Sequence, residues 1–365
     1  MDIALTMMLL FGLITQGLAV MTSVLLCWLL AIKRRRGRLL LVAAVFIINN
    51  IFFIYGLSEF WRARFQVYLV VSVLQGFMLY AALMVALIAG IYGYLFKQPI
   101  LPKLLRVLAI GTYLGIVGLA VFNAYSPVVH HLTVQIDKPL AQPLILAIVS
   151  DTHLDRWFGT RQLKKLVRLI DEQGVDAVLL AGDIMNDSTY YYDKTQMHAQ
   201  LSQLTAPLGV YAVLGNHDYS GNQVAIAHAV TRAGIKVIDN KTVSLNDAVW
   251  LVGRSDETDA GRPSAAELVS VIDTNKPVIM LEHSPSESEL ISQLPVDLHV
   301  SGHTHGGQIF PLTTVMPYFK PLWYGAKKIN GTQFLVTSGF GFGAVPFRLG
   351  IRSEIWVVTL VGKYQ

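Results

Sequence analysis

The sequence predicts a membrane-embedded helical region followed by a layered α/β domain, and three observations carry this prediction. The chain of 365 residues is 53% hydrophobic and only 15% charged, which is more apolar than an ordinary soluble protein. Its first third contains four long apolar runs. The remainder alternates short β-branched runs with amphipathic segments, and strands that alternate with helices are typical of α/β folds.

Each of the four apolar runs is long enough to cross a hydrocarbon core, which needs about 20 residues. The runs cover residues 3–32, 39–57, 67–96 and 107–125. They predict four transmembrane helices in the cytoplasmic membrane. A cleaved signal peptide fits poorly, because the N-terminus carries Asp2, lacks a basic segment and enters a run too long for a signal sequence.

No Asp, Glu, Lys, Arg or His lies well inside the four runs. Ionisable groups within a membrane would mark an ion or proton pathway, so an anchoring bundle is favoured over a transporter. We take Asn49, Asn50, Gln75 and Asn123 as the polar exceptions. Hydrogen bonds between neighbouring helices account for such side chains.

The basic residues are unevenly distributed among the loops. Eight Lys and Arg residues follow the first and third runs, whereas only Arg62 and Arg64 follow the second. By the positive-inside rule, the first and third loops are cytoplasmic. The N-terminus and everything after the fourth run are therefore expected outside the cytoplasm.

The net charge of +5 also divides unevenly. Residues 1–138 hold eleven basic and three acidic residues, which gives +8, and residues 139–365 hold eighteen and twenty-one, which gives −3. The basic balance belongs to the membrane portion, so no nucleic-acid partner is expected. The single cysteine, Cys27, excludes an intrachain disulfide and a thiolate-rich metal site.

Three segments are predicted: four transmembrane helices in residues 1–126, a connector in residues 127–142, and a soluble domain in residues 143–365. The connector contains a possible first strand at His131–Ile136. The soluble domain has an amphipathic helix with Thr160 as its expected N-cap and Gly174 just past its end.

Five apolar runs of the soluble domain end in carboxylate, histidine or asparagine residues. They are Leu144–Ser150 before Asp151 and His153, Ala177–Ala181 before Asp183, Val210–Leu214 before Asn216 and His217, Val278–Leu281 before His283, and Leu298–Ser301 before His303 and His305. Sites in open α/β sheets gather at the carboxyl ends of strands. The five endings are therefore expected in one cleft.

This set of side chains suits two-metal chemistry. Two ions about 3.5–4 Å apart can clamp a phosphoryl group and activate a water for in-line attack. A carboxylate must bridge them, imidazoles and an amide complete the ligands, and one protonated group stays free for the leaving oxygen. Nitrogen and oxygen ligands without sulfur favour Mn, with Fe and Zn as alternatives, over Mg or Ca.

The five endings resemble the motifs of the calcineurin-like metallophosphoesterases over about residues 140–360. The Gly-Gly-Gln after the last motif resembles the bacterial membrane-associated branch, which often has N-terminal transmembrane segments. The resemblance implies a two-sheet αββα sandwich with two divalent metal ions at one edge. It implies Asp151, His153, Asp183 and His305 as ligands of one ion, and Asp183, Asn216, His283 and His303 as ligands of the other. His217 would contact phosphate and protonate the leaving group.

Some positions depart from the family pattern. The second motif often reads Gly-Asp-x-x-Asp, whereas here Asn186 takes the last position and Asp187 follows, which puts a contact outside the ligand sphere in doubt. Asp155 replaces a frequent glycine, and we interpret it as a solvated loop residue in preference to an extra pocket carboxylate. His198, His228 and His299 match no motif and are interpreted as structural.

The sequence therefore predicts a membrane-anchored hydrolase of a phosphodiester, phosphomonoester or pyrophosphate bond. Aromatic and basic residues in Pro317–Lys328 suggest a substrate that is lipid-linked or close to the membrane. The alternative is a catalytically inactive, metal-binding membrane scaffold or receptor. A nuclease is disfavoured by the negative charge of the soluble domain and by the four helices.

Overall fold

The computed structural model describes residues 3–57 and 63–363. Asp2, which argues against a signal peptide, and Arg62, which is counted in the loop charges, lie outside the described residues, as does the side chain of Arg64. The chain forms two compact units. The helical unit comprises Met1–Val121 with Ala344–Pro346, and the sheet unit comprises Phe122–Gly343 with Phe347–Gln365.

The helical unit contains the four long apolar helices that the sequence predicts. They are α1 (Ile3–Leu29), α2 (Arg35–Leu57), α3 (Ala63–Phe96) and α4 (Pro102–Tyr125). Each contains a segment of mean hydropathy 2.0 or more. By length and composition, all four are able to cross a membrane.

Amide side chains join neighbouring helices of this unit. Asn49 on α2 and Gln75 on α3 exchange hydrogen bonds of 2.9 and 3.4 Å. Asn50 is paired in the same way with Gln16 on α1. The predicted interhelical bonding is thus confirmed for three of the four amides, but wrong for Asn123. Its side chain donates to the Arg348 carbonyl, because the last turn of α4 belongs to the sheet unit.

The sheet unit is built on two six-stranded sheets. The first has the order β1-β12-β2-β3-β4-β5 and the second the order β10-β11-β9-β8-β7-β6. The strands are β1 (Val128–Gln135), β2 (Leu144–Val149), β3 (Ala177–Ala181), β4 (Val210–Val213), β5 (Lys236–Val237), β6 (Lys241–Leu245), β7 (Val249–Gly253), β8 (Val278–Leu281), β9 (Leu298–Ser301), β10 (Gly325–Ile329), β11 (Thr332–Val336) and β12 (Glu354–Val361).

Helices flank the sheets. They are α5 (Thr160–Asp171), α6 (Tyr190–Lys194), α7 (His198–Leu201), α8 (Asn216–Ser220), α9 (Gln223–Arg232), α10 (Ala265–Ser270), α11 (Ser288–Ile291) and α12 (Leu312–Phe319). Alternate residues of each buried strand point to opposite faces. Leu146 of β2 therefore packs between the sheets with Leu251 of β7, whereas Val149 packs outward against Leu163 of α5. This arrangement confirms the predicted αββα sandwich.

Two local features differ from the sequence interpretation. The possible first strand at His131–Ile136 is present as β1, but it begins at Val128 and ends at Gln135, and it pairs in parallel with β12 along its whole length. Helix α5 begins at Thr160 but has Gly159 at its N-cap. The prediction of Thr160 as N-cap is wrong because the Gln162 side chain accepts from the Gly159 N–H, so the helical geometry starts one residue earlier than expected.

Candidate metal centre

The polar residues after five strands meet in one place. Strands β2, β3 and β4 are parallel neighbours in the first sheet, and β8 and β9 are parallel neighbours in the second. Their carboxyl ends therefore face the same edge of the sandwich. The cleft between these ends holds all eight site residues predicted from the sequence.

One group of ligand atoms surrounds the imidazole of His153. Its Nε2 lies 3.1 Å from Nε2 of His305 and 3.8 Å from Oδ1 of Asp151. Nε2 of His305 is 3.4 Å from the same Asp151 oxygen. Burial lowers the pKa of His153 to about 3 and holds that of His305 well below its ordinary value. Both rings are therefore neutral and can offer a lone pair.

A second group surrounds the amide of Asn216. Its Oδ1 lies 3.1 Å from Nε2 of His283 and 2.9 Å from Nδ1 of His303. The other nitrogen of His283, Nδ1, lies 2.8 Å from the Ala181 carbonyl, to which only a protonated nitrogen can donate. This contact fixes the ring so that Nε2 faces the cleft, as is usual for metal-binding histidines.

Asp183 lies between the two groups. Its Oδ2 is 3.5 Å from Nε2 of His153 and 3.2 Å from Nε2 of His283. Its Oδ1 accepts a 2.9 Å bond from the His217 N–H. Burial raises the pKa of Asp183, but the neighbouring His283 and His153 outweigh burial and lower it. One carboxylate oxygen is thus fixed by the backbone while the other faces both groups.

The donor set fits a pair of divalent cations. Oδ2 of Asp151 accepts bonds from the Ser150 hydroxyl and the His303 N–H. Its Oδ1 is buried and has no hydrogen-bond partner among the described residues. A buried carboxylate oxygen without a donor is costly, and a cation at this edge would satisfy it.

The backbone at the centre is strained. Five of the seven predicted ligands have a positive φ, a conformation uncommon outside glycine. They are Asp151, His153, Asp183, His303 and His305, with φ between 42° and 68°. Glycine is required where loops touch, since a Cβ at Gly302 would lie 2.0 Å from the Ser150 hydroxyl oxygen. Strain of this kind clusters at functional sites.

Comparison with known proteins agrees with this geometry. The profile of the calcineurin-like phosphoesterases matches residues 144–307. The uncharacterized metallophosphoesterase YkuE of Bacillus subtilis is 32% identical over 220 residues, which span 58% of this chain and 77% of that protein. This chain belongs to the calcineurin-like phosphoesterases.

Other relatives of the phosphoesterase share the same region. An uncharacterized metallophosphoesterase of Aquifex aeolicus is 29% identical over 245 residues, covering 64% of this chain and 92% of that protein. A transmembrane protein with metallophosphoesterase domain from Danio rerio is 28% identical over 287 residues, covering 73% and 63%. The likeness therefore extends beyond bacteria, and the four apolar helices together with such relatives indicate a membrane protein.

His217 of the phosphoesterase stands at the open side of the cleft. Its side chain is 36% exposed, and its Nδ1 lies 2.9 Å from Oδ1 of Asp187. Burial lowers the pKa of His217, but the Asp187 contact and the charge of Asp183 outweigh it and raise the pKa to about 9. Asp187, one place beyond the usual motif position, thus supplies the contact that the sequence left in doubt.

Two residues that sequence reasoning missed hold this arrangement in place. Asp218 is fully buried, and its carboxylate accepts from the N–H groups of Ile184, Met185 and Gly215. It therefore ties the loop after β3 to the loop after β4. The sequence feature that could have identified Asp218 is its position directly after Asn216 and His217.

The second is Arg348, a fully buried guanidinium. It donates to the Ser338 and Gly341 carbonyls at 2.6 and 2.8 Å, and one Nη lies 3.4 Å from Nδ1 of His305. Burial lowers its pKa to about 10. No sequence pattern marks this residue, because its partners are main-chain carbonyls of a loop.

The interpretation of Asp155 as a solvated residue is wrong. Asp155 is only 8% exposed and accepts from the N–H groups of Trp157 and Phe158 and from the Asn186 amide. Burial raises its pKa despite these bonds. The residue closes the turn after the first motif and uses Asn186 as a partner. His299 is buried and bonds Glu282 at 2.8 Å, in agreement with its structural interpretation.

Proposed function

We propose that this protein is a membrane-anchored phosphoesterase that uses two divalent metal ions to hydrolyse a phosphodiester, phosphomonoester or pyrophosphate bond. The observation that carries the proposal is the position of Asp183 Oδ2, which lies within 3.5 Å of a ligand nitrogen in each of two groups. A shared carboxylate is what a two-metal site requires. Family membership supports the reaction class.

In this proposal Asp151, His153 and His305 would hold one ion and Asn216, His283 and His303 the other, and the Asp183 carboxylate would serve both sets of ligands. Bound ions would lower the pKa of a water and polarise the phosphoryl oxygens. The residues orient these ligands: Ser150 fixes Asp151, and the Ala181 carbonyl fixes the His283 ring. The nitrogen and oxygen donors favour Mn, with Fe or Zn as alternatives.

His217 is the proposed proton donor to the leaving oxygen. Asp187 occupies its Nδ1, which leaves Nε2 as the nitrogen free to face a substrate. The partly exposed ring stands beside the His153 ring, with centroids 4.9 Å apart. A proton held at Nε2 therefore lies at the mouth of the cleft, where a leaving group would depart.

Turnover and metal content test this function together. The full-length protein in detergent micelles is stripped with a chelator, reloaded with Mn²⁺, and assayed on bis-p-nitrophenyl phosphate and on p-nitrophenyl phosphate. We expect two ions per chain by mass spectrometry and hydrolysis that disappears with the chelator. Two bound ions without turnover on any phosphoester would instead support the inactive scaffold.

The proposed organisation is residues 1–126 as membrane helices, 127–142 as connector and 143–365 as catalytic domain, with the domain outside the cytoplasm. The loop charges support this orientation, at eight basic residues against two. A reporter fused after Tyr125 should behave as extracytoplasmic, and one fused after Arg36 as cytoplasmic. The reverse pattern would place catalysis in the cytoplasm.

The proposed substrate is lipid-linked or lies at the membrane surface. Four helices would confine the cleft to a thin layer over the bilayer, which raises its effective concentration toward lipids and not toward diffusing esters. Beyond the last metal motif, Tyr318 and Phe319 are 87% and 76% exposed. Aromatic side chains of this kind favour the membrane interface.

A two-substrate assay tests this substrate class. The Tyr318→Ser, Phe319→Ser double variant should keep its rate on soluble bis-p-nitrophenyl phosphate and lose several-fold on a phosphodiester lipid carried in vesicles. Tyr190→Ser, at another exposed tyrosine, serves as the matched control. Equal rates of the double variant and the control on the vesicle substrate would remove the interfacial argument.

A further inference from the structure

A cavity of about 590 Å³ lies in the sheet unit, apart from the metal centre. Its wall includes Asn123 in the last turn of α4, His130 on β1, Thr313 and Thr314 on α12, and Arg352 just before β12. None of the seven proposed metal ligands lines it. Sites for small molecules have volumes of about 300–1,000 Å³, so the cavity is large enough for a ligand of its own.

Arg352 is the fixed cation of this cavity. Its Nε and Nη2 donate to the Ser126 carbonyl, and its guanidinium lies 5.1 Å from the Phe122 ring. These contacts hold the side chain in place. Its Nη1 has no acceptor in the part of the chain that the structure describes, so two N–H groups remain for an anionic partner.

The carboxylate in the wall is bonded by donors other than Arg352. Glu354 is buried and accepts from Thr337, Ser338, Tyr324 and Trp356. Its remaining contact is Nε2 of His130 at 3.3 Å. The hydrogen bond to Glu354 raises the pKa of His130. These contacts occupy the Glu354 carboxylate, and among the described residues it forms no ion pair with Arg352.

Apolar side chains stand around the cavity. Phe310 and Trp323 line it, and Phe310 is 45% exposed. Leu312, next to the cavity-lining Thr313 on α12, is 56% exposed. These apolar side chains can pack against hydrocarbon, next to a polar cavity that contains the Arg352 guanidinium.

We propose that this cavity binds the headgroup phosphate of an anionic membrane phospholipid, with the acyl chains lying along Phe310 and Leu312. The chain itself supports a lipid as the occupant, because Asn123 lies two residues before the end of a helix that is able to span the membrane. In a membrane-spanning α4, a side chain of the last turn would lie at a bilayer surface, where phospholipid headgroups are the abundant phosphate esters. The site is distinct from the metal centre, so its occupancy does not depend on hydrolysis.

Native mass spectrometry of the full-length protein tests this site. The protein in detergent is mixed with phosphatidylglycerol or phosphatidylcholine, and retained lipid is counted. Arg352→Gln keeps a donor for the Ser126 carbonyl but removes the charge, and should weaken phosphatidylglycerol binding about tenfold, as for loss of a charge-assisted hydrogen bond. Thr314→Trp fills the cavity from an exposed position and should weaken binding at least as much.

Matched controls separate this site from lipid that coats the helices. Arg168→Gln removes an exposed guanidinium on α5, and Thr231→Trp replaces an exposed threonine that, like Thr314, bonds a carbonyl of its own turn. Both should retain phosphatidylglycerol as the unaltered protein does. Equal retention in all variants, equal binding of both lipids, or full displacement by millimolar inorganic phosphate would overturn the proposal. None of these outcomes bears on turnover at the metal centre.

Discussion

Buried polar side chains serve different purposes in the two units of this protein. In the helical unit the buried amides are neutral and pair with one another, as when Asn49 and Gln75 exchange two hydrogen bonds. At the edge of the sheet unit they are carboxylates and imidazoles, and their contacts are incomplete. Oδ1 of Asp151 is buried without a donor among the described residues.

The backbone differs in the same way. The residues that carry the paired amides lie in regular helices, whereas five of the seven proposed ligands have a left-handed conformation. Each such residue costs about 1–3 kcal/mol. Such strain is retained where the resulting geometry serves a function. Where polar groups have only a structural role, they are paired with one another instead. Strain together with an unmet electrostatic demand therefore distinguishes the site from a structural network.

The largest expected effect follows from removing the shared carboxylate. Asp183→Ala deletes the oxygen that faces both ligand groups, so the ions should be lost. Activity should fall by more than about 100-fold, the upper range for loss of an outer partner of a ligand. Metal content and turnover are measured on one preparation.

Asp193→Ala, at an exposed aspartate on α6, is the control and should resemble the unaltered protein. An Asp183→Ala protein with near-normal activity and two ions would refute the assignment of the bridging ligand. It would also remove the contrast between the two units, because the carboxylates would then be structural.

The next effect concerns proton transfer without loss of metal. His217→Ala should lower turnover by about 10²–10⁴-fold, as for loss of a general acid, while the ions stay bound. His198→Ala changes an exposed histidine of the same unit and is the control. Loss of an ion in His217→Ala would show that this residue is a ligand.

A smaller effect is expected from the partner of His217. Asp187→Asn replaces the carboxylate that bonds Nδ1 of His217 at 2.9 Å. Turnover should fall about tenfold, within the range for partners outside the ligand sphere, with metal content unchanged. Asp171→Asn, an exposed residue at the end of α5, should have no effect. A rate unchanged by Asp187→Asn would mean that the shifted motif position is functionally silent.

Much of the site was predictable because its residues follow apolar runs. Strands β3, β8 and β9 have the predicted bounds, and β2 and β4 end one residue earlier. A buried strand can be recognised from its own run of apolar side chains. The end of that strand then fixes the position of a ligand residue that directly follows it. All eight predicted site residues therefore lie in one cleft.

The residues that escaped prediction depend on partners distant in the chain or on main-chain groups. Arg348 bonds loop carbonyls that sequence periodicity does not reveal. Asp155 is buried because a turn directs two N–H groups at it. Asn123 lies in an apolar run, yet its partner is 225 positions away in the sheet unit. Periodicity describes one element at a time and cannot show which element receives a side chain.

The smallest expected effect belongs to the paired amides of the helical unit. Asn49→Leu should lower the thermal midpoint slightly, because Gln75 would keep an unsatisfied amide between helices. Coupling energies of such pairs average about 0.6 kcal/mol in membranes. The Asn49→Leu, Gln75→Leu double variant should recover part of the loss, since both polar groups are gone. Metal content and turnover on the soluble diester should remain unchanged throughout. If either single variant abolished turnover while the protein stayed folded, the amides would be functional and neutral pairing would no longer identify a structural network.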